Sequence, residues 1–179
     1  AIYVGDGALA GLIDISSCSM KNCRAANGGG TILWKPSKDF VSPPIIIDDA
    51  TLSFSENNYA AYGHFLASEA FQIKFSTLVQ SKFINISSGE PFDSAVAGTV
   101  VDFYENTVTT DSFTVIYISQ TSPGLTMHKN LLNEQRAKNG IVSLLGFKAF
   151  AYPGSAGHVV FTNGIRSISI AVSVRLCLP

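Results

Sequence analysis

One short stretch of the chain combines two aromatic rings, two amides and an imidazole. Tyrosine offers a flat apolar ring with a polar tip, and an asparagine amide both donates and accepts hydrogen bonds. This mixture is suited to gripping a sugar or a protein surface. The sequence therefore predicts a ligand-binding loop formed by Asn57, Asn58, Tyr59, Tyr62 and His64. The alternative is a loop whose tyrosines fold back onto the core.

Catalytic and cofactor motifs are missing from the sequence. His64, His128 and His158 lie far apart, and neither H-x-x-x-H nor H-E-x-x-H occurs. The G-x-S-x-G turn of serine hydrolases is also missing. A glycosidase needs two carboxylates facing each other across a cleft, which spacing along the chain neither shows nor excludes. We therefore predict no catalytic residue, no metal and no cofactor, and the balance is against an enzyme.

The three cysteines are Cys18, Cys23 and Cys177. Cys18 and Cys23 lie close together in a polar stretch without a nearby histidine, which favours a disulfide between them over a zinc site. Cys177 ends a strand-like run and is predicted to be a buried small hydrophobe. The alternative is a bridge from Cys177 to Cys18 or Cys23. Any such bridge implies an oxidising compartment.

The charge of the chain excludes several classes of partner. Charged residues make up 14 % of the chain, against about a quarter in an ordinary soluble domain. The formal net charge is −1, so the chain lacks the excess of positive charge that binds a nucleic-acid backbone. No apolar run reaches the roughly 18 residues that span a bilayer. No basic segment followed by an apolar one opens the chain, so we expect any signal peptide to have been removed. We predict no nucleic-acid partner, no membrane embedding, and a location outside the cell or on a particle surface.

The elements that must position these residues are predicted to be strands. The chain has 21 serines and 11 threonines, which together outnumber its 25 charged residues. A composition of Ser and Thr beside Val, Ile, Phe and Tyr is typical of half-buried strands. The clearest alternation of apolar and polar residues is in the last run, at Ile168, Ile170, Val172, Val174 and Leu176.

Turn signals separate these strand-like runs. Asn163-Gly164 is the strongest hairpin signal, because a type I′ turn needs positive φ at both central residues. The segment Leu131 to Asn139 carries good helix formers and is followed by Gly140, which predicts one short helix over 131–139. We find no internal repeat at a fixed period.

These patterns predict an all-β chain that forms a single domain over residues 1–179, an antiparallel β-sandwich or jelly-roll-like fold. Residues 1–15, with glycines at 5, 7 and 11, are predicted to be an extended lead-in. This layout resembles the head domains of trimeric fibres. The resemblance implies a homo-oligomer, with a trimer favoured.

Three functions fit such a chain. The first is a non-enzymatic recognition or attachment module, such as an adhesin, a fibre tip or a lectin-like domain, which binds a glycan or a surface receptor through loops of a β-scaffold. The second is a structural or assembly subunit of a capsid or surface appendage. The third is a hydrolase on a β-scaffold. We favour the first.

Overall fold

The structure is a computed structural model that describes residues 2–5, 13–15, 19–37, 45–47, 53–54, 58–92, 96–120, 125–127 and 134–176. The described residues are mostly β, with one short helix among them. The chain divides into two compact units. Unit 1 contains Ala1–Phe71 and Val101–Thr110, and unit 2 contains Gln72–Val100 and Asp111–Pro179. That the chain forms a single domain stays a prediction.

Unit 1 is built from short parallel strands. They are β1 Ile2–Val4, β2 Ile13–Ile15, β3 Ser19–Met20, β4 Ile32–Trp34, β5 Ile45–Ile47, β6 Ser53–Phe54 and β7 Leu66–Ser68. Strand β4 pairs with β1 on one side and with β7 on the other, β2 pairs with β5, and β3 pairs with β6, all in parallel. This parallel pairing differs from the predicted antiparallel arrangement. Within residues 1–15, which were predicted to be an extended lead-in, β1 and β2 are strands of this unit.

The pairing register shows that the chain winds in stacked coils. Ile2 pairs with Ile32, and Ile32 pairs with Leu66, so one coil takes about 30–35 residues. Unit 1 is therefore a short parallel β-solenoid, in which each coil rests on its neighbour. The sequence shows no repeat at a fixed period, although the structure repeats from coil to coil. The coils differ in length and share few residue types, so their period is not visible in the sequence.

Glycines with positive φ allow the tight turn that precedes the strand in successive coils. Gly29 has φ +64° and Gly63 has φ +54°, which are backbone conformations that residues with a side chain rarely adopt. A Cβ at Gly63 would come within 2.7 Å of the Leu66 carbonyl oxygen. Glycine therefore meets two requirements here, the backbone conformation and the close approach of the next strand.

The core of unit 1 forms around the only tryptophan of the chain. Trp34 is fully buried and packs edge-to-face on Phe103 with 5.6 Å between ring centroids. Its Nε1–H donates a hydrogen bond of 3.2 Å to the Tyr104 hydroxyl. Burial raises the pKa of Tyr104 above its ordinary value, against a smaller opposite effect of the Trp34 bond. Trp34 is thus a natural fluorescence reporter for this unit.

A buried carboxylate fixes the backbone beyond β7. Asp102 is fully buried, and its Oδ1 accepts a 2.7 Å bond from the Asn106 N–H. Its Oδ2 accepts bonds from the Ser68 N–H at 3.2 Å and from the Asn106 side-chain amide at 3.1 Å. Because both oxygens are satisfied by the protein itself, Asp102 has a structural role.

Unit 2 contains the helix and the longer strands. The elements are β8 Gln72–Lys74, α1 Thr77–Ser81, β9 Ala97–Val101, β10 Val115–Gln120, β11 Thr126–Met127, β12 Glu134–Arg136, β13 Ile141–Ser143, β14 Ala149–Phe150, β15 Ala156–Thr162 and β16 Ser167–Ser173. The last residue of β9 belongs to unit 1. One sheet has the order β12-β10-β15-β16 with all pairs antiparallel, a second has the order β13-β9-β8, and β11 pairs with β14. The Ser76 hydroxyl caps α1 by accepting from the Val79 N–H at 3.2 Å.

Phenylalanines from distant segments form the core of unit 2. Phe83 packs against Phe92 with 4.8 Å between centroids and against Phe161 at 6.0 Å. Phe92 in turn stacks on Phe147 at 5.2 Å, with the two rings within 5° of parallel. Such aromatic pairs contribute about 0.5–1.5 kcal/mol beyond the area that they bury.

The helix predicted over 131–139 is wrong for residues 134–139, and residues 131–133 lie outside the described residues. Glu134–Arg136 forms strand β12 and pairs with β10. The main chains of Lys138 and Ile141 bond reciprocally around Asn139 and Gly140, which have φ +50° and +74°. This is the two-residue hairpin turn that an Asn-Gly pair favours, and it overrides the helix propensity of the preceding residues.

The hairpin predicted at Asn163-Gly164 is confirmed. Strands β15 and β16 pair antiparallel from Thr162 and Ser167 outward. Only Gly164 has positive φ there, so the turn is not the predicted type I′. In β16, Ile170 and Val172 are buried as the alternation predicted, whereas Leu176, beyond the strand, is exposed.

We expect Ile170→Ala to lower the free energy of unfolding by about 2–4 kcal/mol, because it removes a buried side chain and leaves a cavity. Ser169→Ala, on the exposed side of the same strand, should change it by less than about 0.5 kcal/mol. Urea denaturation followed by circular dichroism measures both. Equal midpoints for the two variants would show that β16 does not pack against the core.

Candidate functional site

The segment predicted to bind a ligand lies on a coil of unit 1, just before β7. Its first residue, Asn57, lies outside the described residues. Tyr59 forms an isolated parallel bridge with Arg24, and Tyr62 forms one with Gly28. The predicted loop is therefore part of the ladder between two coils, which holds its backbone in place.

Asn58 is used by the fold. Its Oδ1 accepts a 3.0 Å bond from the Cys23 N–H, and its Nδ2 donates to the Met20 carbonyl at 3.4 Å. Both ends of the half-buried amide thus bridge to the preceding coil. A ligand that took either end would have to break a bond between coils.

Tyr62 is not at the surface. It is 7 % exposed, and its hydroxyl donates a 3.1 Å bond to the Ser68 carbonyl. A Cβ on Gly28 would fall within 2.2 Å of the Tyr62 ring, so the ring fills the space that this glycine leaves. The structure places Tyr62 in the core, as the alternative interpretation of this segment had it, and it does not serve as a platform.

Tyr59 and His64 form an exposed aromatic pair, which we call the Tyr59–His64 pair. Tyr59 is 63 % exposed, and the two rings are stacked with 5.8 Å between centroids and an angle of 29°. The Nδ1 of His64 accepts a 3.3 Å bond from the Ala60 N–H, so the neutral ring carries its proton on Nε2. The pair therefore presents an aromatic surface beside a hydrogen-bond donor.

Two main-chain bonds hold Tyr59 to the preceding coil. Its N–H donates to the Cys23 carbonyl at 2.9 Å, and its carbonyl accepts from the Ala25 N–H at 3.0 Å. Two residues later, the Ala61 N–H donates to the Asn27 carbonyl at 2.9 Å. The backbone that carries the exposed ring is thus already ordered, so less conformational entropy would be lost when a ligand binds.

Cys23 is partly exposed and forms no disulfide with another described residue, and its Sγ lies 3.7 Å from the Lys21 carbonyl oxygen. Cys18 and Cys177 lie outside the described residues. The disulfide between Cys18 and Cys23 stays a prediction.

Within the described ranges, no group of three or more His, Cys, Asp or Glu side chains is arranged to hold a metal ion. The part of the chain that the structure describes also has no helix that is long and apolar enough to cross a membrane.

Unit 2 contains a cleft that sequence reasoning missed. It has a volume of about 300 Å³, and an ion pair between Arg175 and Glu90 lies on its rim, with 2.9 Å between Nη2 and Oε2. The two residues are far apart in the sequence. The distance between two residues along the sequence does not indicate a pair that only the tertiary structure brings together.

Comparison of the chain with protein-family models, with curated proteins and with solved structures gives no match.

We expect Tyr62→Ala to lower the free energy of unfolding by about 3–5 kcal/mol, because it empties a buried site. Tyr59→Ala should lower it by less than about 1 kcal/mol, because the ring is mostly in water. The fluorescence of Trp34 during urea denaturation reports on the unit that contains both tyrosines. Similar losses for the two variants would contradict the assignment of Tyr62 to the core and Tyr59 to the surface.

Proposed function

We propose that this protein is a non-enzymatic recognition module that binds a glycan or a surface receptor through the Tyr59–His64 pair. The observation that carries the proposal is the 63 % exposure of Tyr59, stacked on an exposed imidazole and anchored by main-chain bonds to the preceding coil.

The physical chemistry of the pair supports this function. An aromatic ring gives a large contact area with only two χ angles to immobilise, and its face packs well against the C–H face of a sugar or an apolar side chain. The imidazole beside it provides a directional hydrogen bond. The predicted binding residues thereby reduce to Tyr59 and His64, since Asn58 and Tyr62 already serve the fold.

The remaining parts of the proposal concern setting and architecture. A location outside the cell or on a particle surface is supported by the low share of charged residues, 14 %. For unit 2, a sandwich or jelly-roll-like arrangement is supported by its antiparallel four-stranded sheet and the second sheet of three strands.

Binding should depend on the ring of Tyr59. We expect Tyr59→Ala to raise the dissociation constant at least about fivefold. This is a loss of roughly 1 kcal/mol of binding free energy, which is typical of a contact that anchors an interface. Tyr59→Phe should retain most of the affinity, because the ring face makes the contact. The measurement is a glycan array, followed by titration of the strongest hit by calorimetry.

Tyr152→Ala is the matched control, because Tyr152 is 80 % exposed and lies in unit 2. A ligand whose affinity is unchanged by Tyr59→Ala and by His64→Ala would overturn the proposed site. Turnover of that ligand, lost on a single Asp or Glu substitution, would favour the hydrolase.

The edge position of β1 among the described strands of its sheet favours a second candidate function, that of an assembly subunit. Ile2 is 40 % exposed, although it continues a column in which Ile32 is fully buried. In the described sheet β1-β4-β7, β1 is an edge strand, and such edges template pairing with another chain. A second copy of this chain is the occupant we propose.

If copies assemble through β1, Ile2→Lys should prevent it, because a charge would enter the aliphatic column. We expect the wild-type mass in sedimentation equilibrium to rise with concentration above 19.1 kDa, and the variant to remain a monomer. Leu78→Lys is the control, because Leu78 is 78 % exposed on α1. The limiting mass also tests the predicted trimer. A wild-type chain that stays monomeric at every concentration would exclude this function.

A further inference from the structure

A turn of unit 2 contains the tripeptide Asn85-Ile86-Ser87. It fits the pattern N-x-Ser/Thr, and no other asparagine in the sequence has a serine or threonine two residues later. In proteins of the secretory pathway this pattern is the acceptor for N-linked glycans, which are bulky and need a surface position. Because so short a pattern also arises by chance, its place in the fold decides whether it can serve as an acceptor.

The fold places Asn85 at the surface of a turn that follows α1. Phe83 and Ile86 are buried on either side, at 0 and 8 % exposure, and they attach the turn to the core of the unit. Between them, Ile84 is 58 % exposed and Asn85 is also exposed. The middle residue of the tripeptide therefore points into the protein, whereas the asparagine lies in water.

Main-chain bonds fix the turn against the end of β16. The Asn85 N–H donates a 2.7 Å bond to the Ser173 hydroxyl, and the Ile86 N–H donates to the Ser173 carbonyl at 2.9 Å. The Ile86 carbonyl accepts a 2.9 Å bond from the Arg175 N–H. The position of Asn85 thus depends on its main chain and on Ile86, and a group attached to its side chain would not disturb these bonds.

The fold leaves the side-chain amide of Asn85 unused. Its φ of +67° is a conformation that asparagine tolerates better than most residues, and glycine best of all. The amides of Asn58 and Asn106, by contrast, donate to the Met20 carbonyl and to Asp102. With the described residues, the Asn85 amide makes no hydrogen bond. The turn therefore accounts for an asparagine or a glycine at this position, but it does not use the amide nitrogen.

The turn stands between two hollows of the surface. Asn85 lies at the edge of the cleft of about 300 Å³, whose floor is formed by the buried Ile86 and Phe92. On the other side, Ile84 borders a second hollow beside Ala171 of β16. This arrangement leaves room for a bulky group on the exposed side of the turn.

We propose that Asn85 carries an N-linked glycan, transferred from a polyprenyl-diphosphate oligosaccharide in the secretory pathway of a eukaryotic cell. The Nδ2 of Asn85 forms a bond to C1 of the first sugar, and the bond between C1 and the diphosphate breaks. The electron pair of that bond leaves with the diphosphate, one amide proton goes to solvent, and nothing is oxidised or reduced.

The composition of the chain agrees with such a modification. Charged residues make up only 14 % of the sequence, and a glycan beside Ile84 supplies polar surface at an exposed apolar side chain. This inference goes beyond the proposed function, because Asn85 lies in unit 2 and the Tyr59–His64 pair takes no part in it. It shares with that function only the proposed location outside the cell.

The test is expression of the full chain behind a cleavable secretion signal in cultured animal cells, followed by mass spectrometry. We expect the secreted chain to exceed 19.1 kDa by the mass of one oligosaccharide. A peptide-N-glycan amidase should remove this mass and convert the Asn85 amide into a carboxylic acid, which locates the site in a peptide map.

Substitutions within the tripeptide check the assignment. Asn85→Gln and Ser87→Ala should each abolish the added mass, because each destroys the acceptor pattern. Ser87→Thr should keep it, since threonine also completes the pattern. Asn27→Gln is the control, because Asn27 is an exposed asparagine outside any such tripeptide, and its substitution should leave the added mass in place.

Ile141→Thr provides a matched second acceptor. It completes the same tripeptide after Asn139, which is also exposed and also has positive φ, +50°. We expect two oligosaccharides on this variant. A single one that maps to Asn139 would show that the cell glycosylates this chain and passes over Asn85, which would overturn the inference.

A wild-type chain secreted without added mass would also overturn it, as would added mass that persists in both Asn85→Gln and Ser87→Ala. If a variant is not secreted, translation of the full chain with endoplasmic-reticulum microsomes gives the same readout, because the glycan is transferred before folding is complete. Tyr59→Ala should keep the glycan, and Asn85→Gln should keep binding through the Tyr59–His64 pair, so this inference and the proposed function fail separately.

Discussion

The main-chain ladder between successive coils is the constraint on which unit 1 depends. Parallel pairing places each strand residue on a counterpart one coil further along the chain, so an inward side chain must pack against an inward side chain above it. Ile2, Ile32 and Leu66 form one such column. The same ladder fixes the backbone of Tyr59 and leaves its ring exposed. The packing of the core therefore does not determine which side chain stands at that position.

Unit 2 depends on a different interaction, the packing of phenylalanines from segments that are distant in sequence. Phe92 belongs both to this cluster and to the floor of the cleft, so the floor has the rigidity of the core. The polar side of the cleft is held by hydrogen bonds instead, among them the bond between Arg175 and Glu90 and the 2.7 Å bond from the Asn85 N–H to the Ser173 hydroxyl. The apolar side of the cleft therefore depends on the core, and the polar side depends on bonds between segments that are distant in sequence.

Local patterns in the sequence predicted local structure well and tertiary structure poorly. Period-two alternation identified Ile170 and Val172 as buried, because that signal needs only the strand itself. The helix at 131–139 failed because an Asn-Gly hairpin turn ends the segment and an antiparallel partner pairs with it. Tyr59 and Tyr62 are of the same type and three residues apart, and only the path of the coil decides which one is buried. The partners of the cleft come from distant segments, beyond the reach of any spacing rule.

The exposed apolar side chains of unit 1 are of two physically different kinds. Ile2 sits in a column whose next member, Ile32, is fully buried, and covering Ile2 would extend the existing packing. Tyr59 is paired in the ladder with Arg24, not with a buried apolar residue, and its ring is 63 % exposed. A ring in that position contributes little to stability, which supports the proposed binding site at Tyr59, whereas the exposure of Ile2 supports the second proposal, pairing with another copy of the chain.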